Sequence, residues 1–122
     1  MIVGSIKEDL SSEKRVSITP ETAKNIGNLG LGVCLEKDYA THLGIEDKFY
    51  ENVGVKIHNS SNEVLKNCDL LTKVECPSED EITGLNENTI LVGILNPTKN
   101  QIKLKEILKK KINIFSLELL PR

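Results

Sequence analysis

The 122-residue sequence predicts an α/β fold of three layers, α/β/α, built on a mostly parallel sheet. Three observations predict it. Short apolar runs alternate along the whole chain with segments whose apolar residues recur at helical spacing, the pattern of repeated strand-helix units. One run, residues 90–95, is apolar throughout, as a strand covered on both faces must be. The length suits a single core, and no Ser/Gly-rich linker, low-complexity stretch or internal repeat divides it, so residues 1–122 read as one domain.

Residues 2–6 read as the opening strand. Thr19 then caps a helix with Pro20 at its first position, where a missing N–H costs nothing, Ala23, Ile26 and Leu29 on one face, and Gly30 as its stop. Residues 32–35 form the second strand. Ile45, Phe49 and Val53 recur at spacings of four, as on an amphipathic helix, and Gly54 leads into a short strand at 55–58. Ser60 and Glu63 have capping-box spacing before a short helix carrying Val64, Leu65 and Cys68. Residues 69–74 are the next strand, and Ser78 with Glu81 repeats the capping spacing before a turn of helix. The strand at 90–95 is expected to be the most buried. Thr98 with Gln101 caps a final helix bearing Leu104, Ile107 and Leu108, and residues 112–117 return as the last strand. The chain then stops on a connection, so the sequence reads as one half of something larger.

Hydrophobic residues make up 39% of the chain and charged residues 28%, with a net charge of -2 and the cations dispersed; nucleic acid, which demands a basic face, is excluded as a partner. Lys103, Lys105, Lys109, Lys110 and Lys111 form the densest basic stretch and read as a solvated helix end. Cys34, Cys68 and Cys76 are odd in number and lack metal spacing, which fits a reduced compartment and no metal. The first residues lack the charged and apolar regions of a secretion signal, and no apolar run approaches the roughly 20 residues that span a bilayer.

The clustered glycines Gly27, Gly30 and Gly32 lie between a helix and a strand, whereas a dinucleotide fingerprint lies between a strand and a helix; they mark a helix stop. Arg15, in the loop after the first strand, sits at the carboxyl edge where open α/β sheets bind ligands. It reads equally well as an anion grip or as a surface arginine paired with Glu13 or Glu8. Lys73 ends an otherwise apolar strand at the same edge, either as a cation that orients a substrate carboxylate or carbonyl, the favoured reading, or as an edge lysine that blocks sheet pairing. His42 and His58 have no nucleophile or metal pattern around them and read as loop or surface residues. Tyr39, Phe49, Tyr50 and Phe115 are too scattered for a base-stacking platform and read as core or rim.

Four separated stretches carry a family resemblance along the whole chain: residues 2–7 with Glu8, the block from Glu13 through Arg15 to Pro20, the strand at 70–74 with Pro77, and the closing run from Leu117 to Pro121 and Arg122. In their order and spacing the chain resembles the N-terminal domain of the alanine dehydrogenase and transhydrogenase family. The resemblance implies a Rossmann-like (flavodoxin-like) fold, with Arg15 and Lys73 at the substrate and a histidine after the central strand. This sequence has Asn96 there, and asparagine cannot serve as a general acid or base near neutral pH.

That departure and the Pro121-Arg122 ending resemble the NAD(H)-binding component of proton-translocating NAD(P) transhydrogenase, in which Arg122 would begin a loop that contacts the nicotinamide end of NAD(H). The resemblance then implies NAD(H) in the full protein, NADP(H) on a partner component, and no nucleotide or catalysis in this chain by itself. It implies membrane-embedded partner subunits, a place on the cytoplasmic side of the inner membrane, and a possible homodimer. The NAD-binding Rossmann domain would lie outside residues 1–122. An NAD-dependent alanine dehydrogenase or related amino-acid dehydrogenase is the nearest alternative, and a free-standing, non-enzymatic α/β binding module is the second.

Overall fold

In a computed structural model, residues 1–96 and 99–116 are described, without the side chain of Ser116. The strands are β1 (Ile2–Ser5), β2 (Gly32–Glu36), β3 (Lys56–His58), β4 (Leu70–Glu75), β5 (Ile90–Ile94) and β6 (Asn113–Ser116). They form one sheet in the order β3-β2-β1-β4-β5-β6, and every pairing is parallel. The helices are α1 (Pro20–Asn28), α2 (Asp47–Glu51), α3 (Ser61–Asn67), α4 (Glu79–Gly84) and α5 (Gln101–Lys109), with one 3-10 turn at Thr41–Leu43. Each strand leads through a helix to the next parallel strand, its neighbour in every case except β3 to β4, and the expected α/β, Rossmann-like class holds.

Period-two alternation divides the core between the two faces of the sheet. Cys34 and Leu71 point into a cluster with Val64 and Leu65 of α3, Ile82 of α4 and Ile107 of α5. Their neighbours Val33, Leu35 and Leu70 point the other way, with Ala23 of α1, Tyr50 of α2 and the ring of Tyr39. Three of the expected caps are in place. The Thr19 hydroxyl accepts from the Thr22 amide, the Ser60 hydroxyl from Glu63, and Ser78 with Glu81 closes a reciprocal capping box. Gly30, in the left-handed region at φ 84°, ends α1, which confirms the glycine cluster as a helix stop.

Three expectations are corrected. The strand at 90–95 is not the most buried: β1 and β4 are central, and in β5 Ile90 and Val92 are half-buried while Ile94 is 38% exposed. The physical reason is coverage, because α1 and α2 lie over β1, β2 and β3, leaving Ile94 and, beside it on β6, the 56% exposed Phe115 on an open face. The amphipathic span around Phe49 yields only the five-residue α2, preceded by the 3-10 turn, and Phe49 itself is 47% exposed. The last helix starts at Gln101 with Asn100 in the cap position; Thr98, expected to cap it, lies outside the described residues, as do Leu117 and the rest of the closing run.

A ligand crevice at the switch point

β1 has β2 on one side and β4 on the other, so the chain leaves the carboxyl ends of these two central strands in opposite directions. This divergence opens a crevice, the position at which open α/β sheets take ligands. Glu13 and Arg15 in the loop after β1 form one wall, the end of β4 with Cys76 another, and Asn96 and Lys99 after β5 a third. Between them lies a cavity of about 220 Å³ lined by Arg15, Glu75, Cys76, Asn96, Lys99 and Lys103, among others.

Two of the expected site residues, Arg15 and Asn96, therefore meet in one cavity. Arg15 is 69% exposed and its fork is closed on Glu13, with Nε donating to Oε2 at 2.9 Å and Nη2 to Oε1 at 2.7 Å. Those hydrogen bonds hold the Glu13 carboxyl down at about 2 and push the guanidinium up in turn. Arg15 thus lines the crevice and is paired with Glu13, as its reading as a surface arginine expects. Asn96 adopts φ 45°, a left-handed conformation that asparagine tolerates better than most residues.

Lys73 does not line that cavity. It is 5% exposed, with Nζ 3.3 Å from Glu81 Oε1 and 3.9 Å from Glu8 Oε1. The reading of it as an edge guard fails, because β4 lies inside the sheet between β1 and β5. Its aim comes from an irregularity in the β4–β5 ladder: Thr72 faces Val92 and Glu75 faces Ile94, so Lys73 and Val74 together oppose Gly93. Such a bulge re-aims side chains. It also brings the Lys73 carbonyl so close to Gly93 that a Cβ there would stand 2.4 Å from the oxygen, which is why residue 93 is glycine.

Glu8, which the sequence reading left in the background, lies beside Lys73. Its carboxylate, 1% exposed, accepts from the Val74 amide at 3.0 Å and the Glu75 amide at 3.1 Å, taking the place of a strand neighbour beyond the end of β1. Burial pushes this carboxyl up, against the opposing pull of those amides and of Lys73. Two other residues pin the Arg15 loop. Tyr39 OH accepts from the amides of Ser17 (3.1 Å) and Ile18 (3.2 Å), and since Ser5 Oγ donates to the Thr72 carbonyl at 2.6 Å, the tyrosine proton goes to Ser5 Oγ at 2.8 Å. His42 Nε2 lies 2.7 Å from the Lys14 carbonyl. Neither tether has a sequence signature, since each joins residues more than twenty positions apart.

Arg122 falls outside the described residues. Lys99, Asn100 and Lys103 join the crevice unannounced by any motif; Asn100 is fixed there by Nδ2 donating to the Leu95 carbonyl at 2.8 Å and the Asn96 carbonyl at 3.3 Å. No His, Cys, Asp and Glu cluster that could hold a metal occurs among the described residues.

Residues 4–122 match the family model described as "Alanine dehydrogenase/PNT, N-terminal domain". The chain is 32% identical, over its whole length, to 23% of the NAD(P) transhydrogenase subunit alpha of Haemophilus influenzae, and 31% identical over 92% of its length to 30% of the alanine dehydrogenase of Staphylococcus saprophyticus. Among solved structures, the transhydrogenase from Sinorhizobium meliloti superposes with a TM-score of 0.93 at 29% identity, covering all of this chain and 36% of that one. The chain thus spans about a quarter to a third of the length of the relatives it matches.

Proposed function

Because the chain belongs to the alanine dehydrogenase/PNT N-terminal domain family, we propose that it is the N-terminal part of the NAD(H)-binding component of a proton-translocating NAD(P) transhydrogenase. In this reading the complete protein passes a hydride between its own NAD(H) and NADP(H) on a partner component. It stands on the cytoplasmic side of the membrane, held there by membrane-embedded subunits, and two copies pair in the working assembly. No helix among the described residues is long and apolar enough to cross a bilayer, in keeping with a membrane link made by other chains.

The residues present do not fit a whole dinucleotide. The turns that leave β1, β4 and β5 for their helices contain no glycine, so none can bring backbone amides up to a pyrophosphate as a Gly-rich turn does. We therefore assign this chain one wall of the reaction site: Arg15, its fork steadied by Glu13, and Asn96 line the crevice, and Arg122 has the role that the family resemblance implies, the first residue of a loop that contacts the nicotinamide. Lys73 acts from beneath, tying the loop after β1 to α4. The chain by itself should neither bind NADH appreciably nor turn over.

Asn96 carries the choice within the family. Proton transfer to an amino-acid substrate needs a group that titrates near neutrality, and a carboxamide does not. The alanine dehydrogenase relatives, at 31% and 30% identity, keep the amino-acid dehydrogenase reading in contention. Assaying the full-length gene product decides: hydride transfer between NADPH and an NAD analogue in the presence of the NADP(H) component is expected, and efficient NAD-dependent amination of pyruvate with Asn96 in place would overturn the assignment. Tight NADH binding by the 122-residue chain would overturn its reading as one wall.

A further inference from the structure

The crevice holds a charge arrangement that the hydride-transfer reading does not use. Glu13 and Arg15 neutralise one another through two hydrogen bonds, which leaves two cations, Lys99 and Lys103, against one carboxylate, Glu75, around the 220 Å³ cavity. Glu75 Oε2 accepts from the Ser12 hydroxyl at 3.2 Å, and Glu79 lines an adjacent hollow with the same two lysines. Among the described residues, however, neither lysine forms an ion pair. Lys103 is partly buried and close enough to Cys76 to oppose the upward push of burial on that thiol.

Two lysines and a single carboxylate leave the cavity lining with an excess of positive charge, which an anion would offset. The helix beneath aggravates the imbalance. Lys103 sits in the first turn of α5, where the macrodipole disfavours cations, and that turn carries no acidic residue, unlike α1, α2, α3 and α4. Local rules of this kind are broken chiefly at functional or strained sites.

We propose that this cavity is an anion site for a phosphate group, with Lys99 and Lys103 as its charge donors, the outer N–H groups of Arg15 completing it, and Asn100 fixing its floor. Phosphate fits better than carboxylate. A carboxylate is matched by a planar guanidinium fork, and that fork is already filled by Glu13, whereas ammonium groups act as point charges suited to the higher charge of phosphate. Three N–H of Arg15, two on Nη1 and one on Nη2, remain beyond the Glu13 pair. The site does not depend on which dehydrogenase chemistry the full protein performs, and inorganic phosphate tests it without any nucleotide present.

The chain is titrated with sodium phosphate at constant ionic strength while its amide resonances are followed by NMR, with chloride and acetate as parallel arms. Saturable shifts confined to Lys99, Asn100, Lys103 and Cys76 are expected with phosphate. The Lys99→Gln/Lys103→Gln double variant should weaken binding at least about tenfold, roughly 1.4 kcal/mol, with a Lys109→Gln/Lys111→Gln control unchanged and all spectra still dispersed. Non-saturating shifts, or equal weakening in the control, would reduce the feature to general attraction of anions to lysines and overturn the site. Acetate binding as tightly as phosphate would overturn the phosphate assignment.

Discussion

Glu81 Oε1 accepts the Lys73 ammonium at 3.3 Å and the Ser78 amide at 2.8 Å, so the carboxylate that closes the cap of α4 also holds the buried lysine of β4. With Glu8 on its other side, Lys73 joins the loop after β1 to the start of α4 across the switch point. Removing the ammonium leaves Glu8 a buried carboxylate with two backbone amides and no cation beside it. Lys73→Met should therefore cost about 3 kcal/mol in urea denaturation at neutral pH. Adding Glu8→Gln should restore part of that loss; a double variant no more stable than the single would show that the coupling is not electrostatic.

Gly93→Ala tests the bulge that aims this lysine. Its methyl would stand 2.4 Å from the Lys73 carbonyl, a backbone atom that cannot swing aside. The expected cost is about 2 kcal/mol or more, with a Lys73 side chain displaced from Glu81. A variant as stable as the wild type in thermal denaturation would mean that the β4–β5 ladder relaxes without strain.

Lys110 contributes to the fold in a way its place in a basic stretch conceals. Its ammonium donates to the carbonyls of Ile82 (3.2 Å), Thr83 (2.6 Å) and Leu85 (2.8 Å), closing the carboxyl end of α4. Lys110→Met keeps the stem but abandons three carbonyls, so a loss of about 1–2 kcal/mol is expected. Lys109→Met, at a residue 75% exposed and paired only with Glu106, should cost under about 0.5 kcal/mol. Equal effects at the two positions would refute the capping role.

Lys110 also illustrates why the sequence disclosed the fold more fully than the site. Caps and apolar patterning are local, so Thr19, Ser60 and Ser78 announce the starts of α1, α3 and α4, and the apolar runs announce the strands found among the described residues. The Tyr39 and His42 tethers, the Glu8 acceptance of β4 amides and the assembly of Arg15 with Lys103 join residues far apart in the chain, and only the parallel topology brings them together. Layer coverage is likewise non-local. An apolar run announced β5 but not that its outer face, with Ile94, would lie beyond the reach of α1 and α2.

The three thiols should separate by burial. Cys34 and Cys68, packed against β1 and α3, are pushed up to about 11 and about 12 by burial, so little thiolate exists in mildly alkaline buffer. Cys76 is partly exposed and lines the crevice. Iodoacetamide followed by mass spectrometry should label Cys76 in the folded chain and reach the other two only on unfolding. Simultaneous labelling would mean that α3 opens from the sheet readily.

Arg15 and Glu13 give an acid limb to stability whose sign can be worked out. The Glu13 carboxyl titrates at about 2 in the folded chain against an ordinary 4.5, so folding favours its ionised form. The pair's contribution is complete above the ordinary value and is lost as pH falls from there toward 2. In Arg15→Ala the guanidinium is gone and Glu13 should rise toward the normal range, visible as a shifted carboxyl titration by NMR. The stabilities of the variant and the wild type should converge as the solution is acidified through that window. Because Glu13 also takes the Arg15 backbone amide at 2.9 Å, part of the depression should survive in the variant. An unchanged Glu13 titration would show that this amide, not the side chain, holds the carboxylate, and that the fork of Arg15 is free to take a ligand.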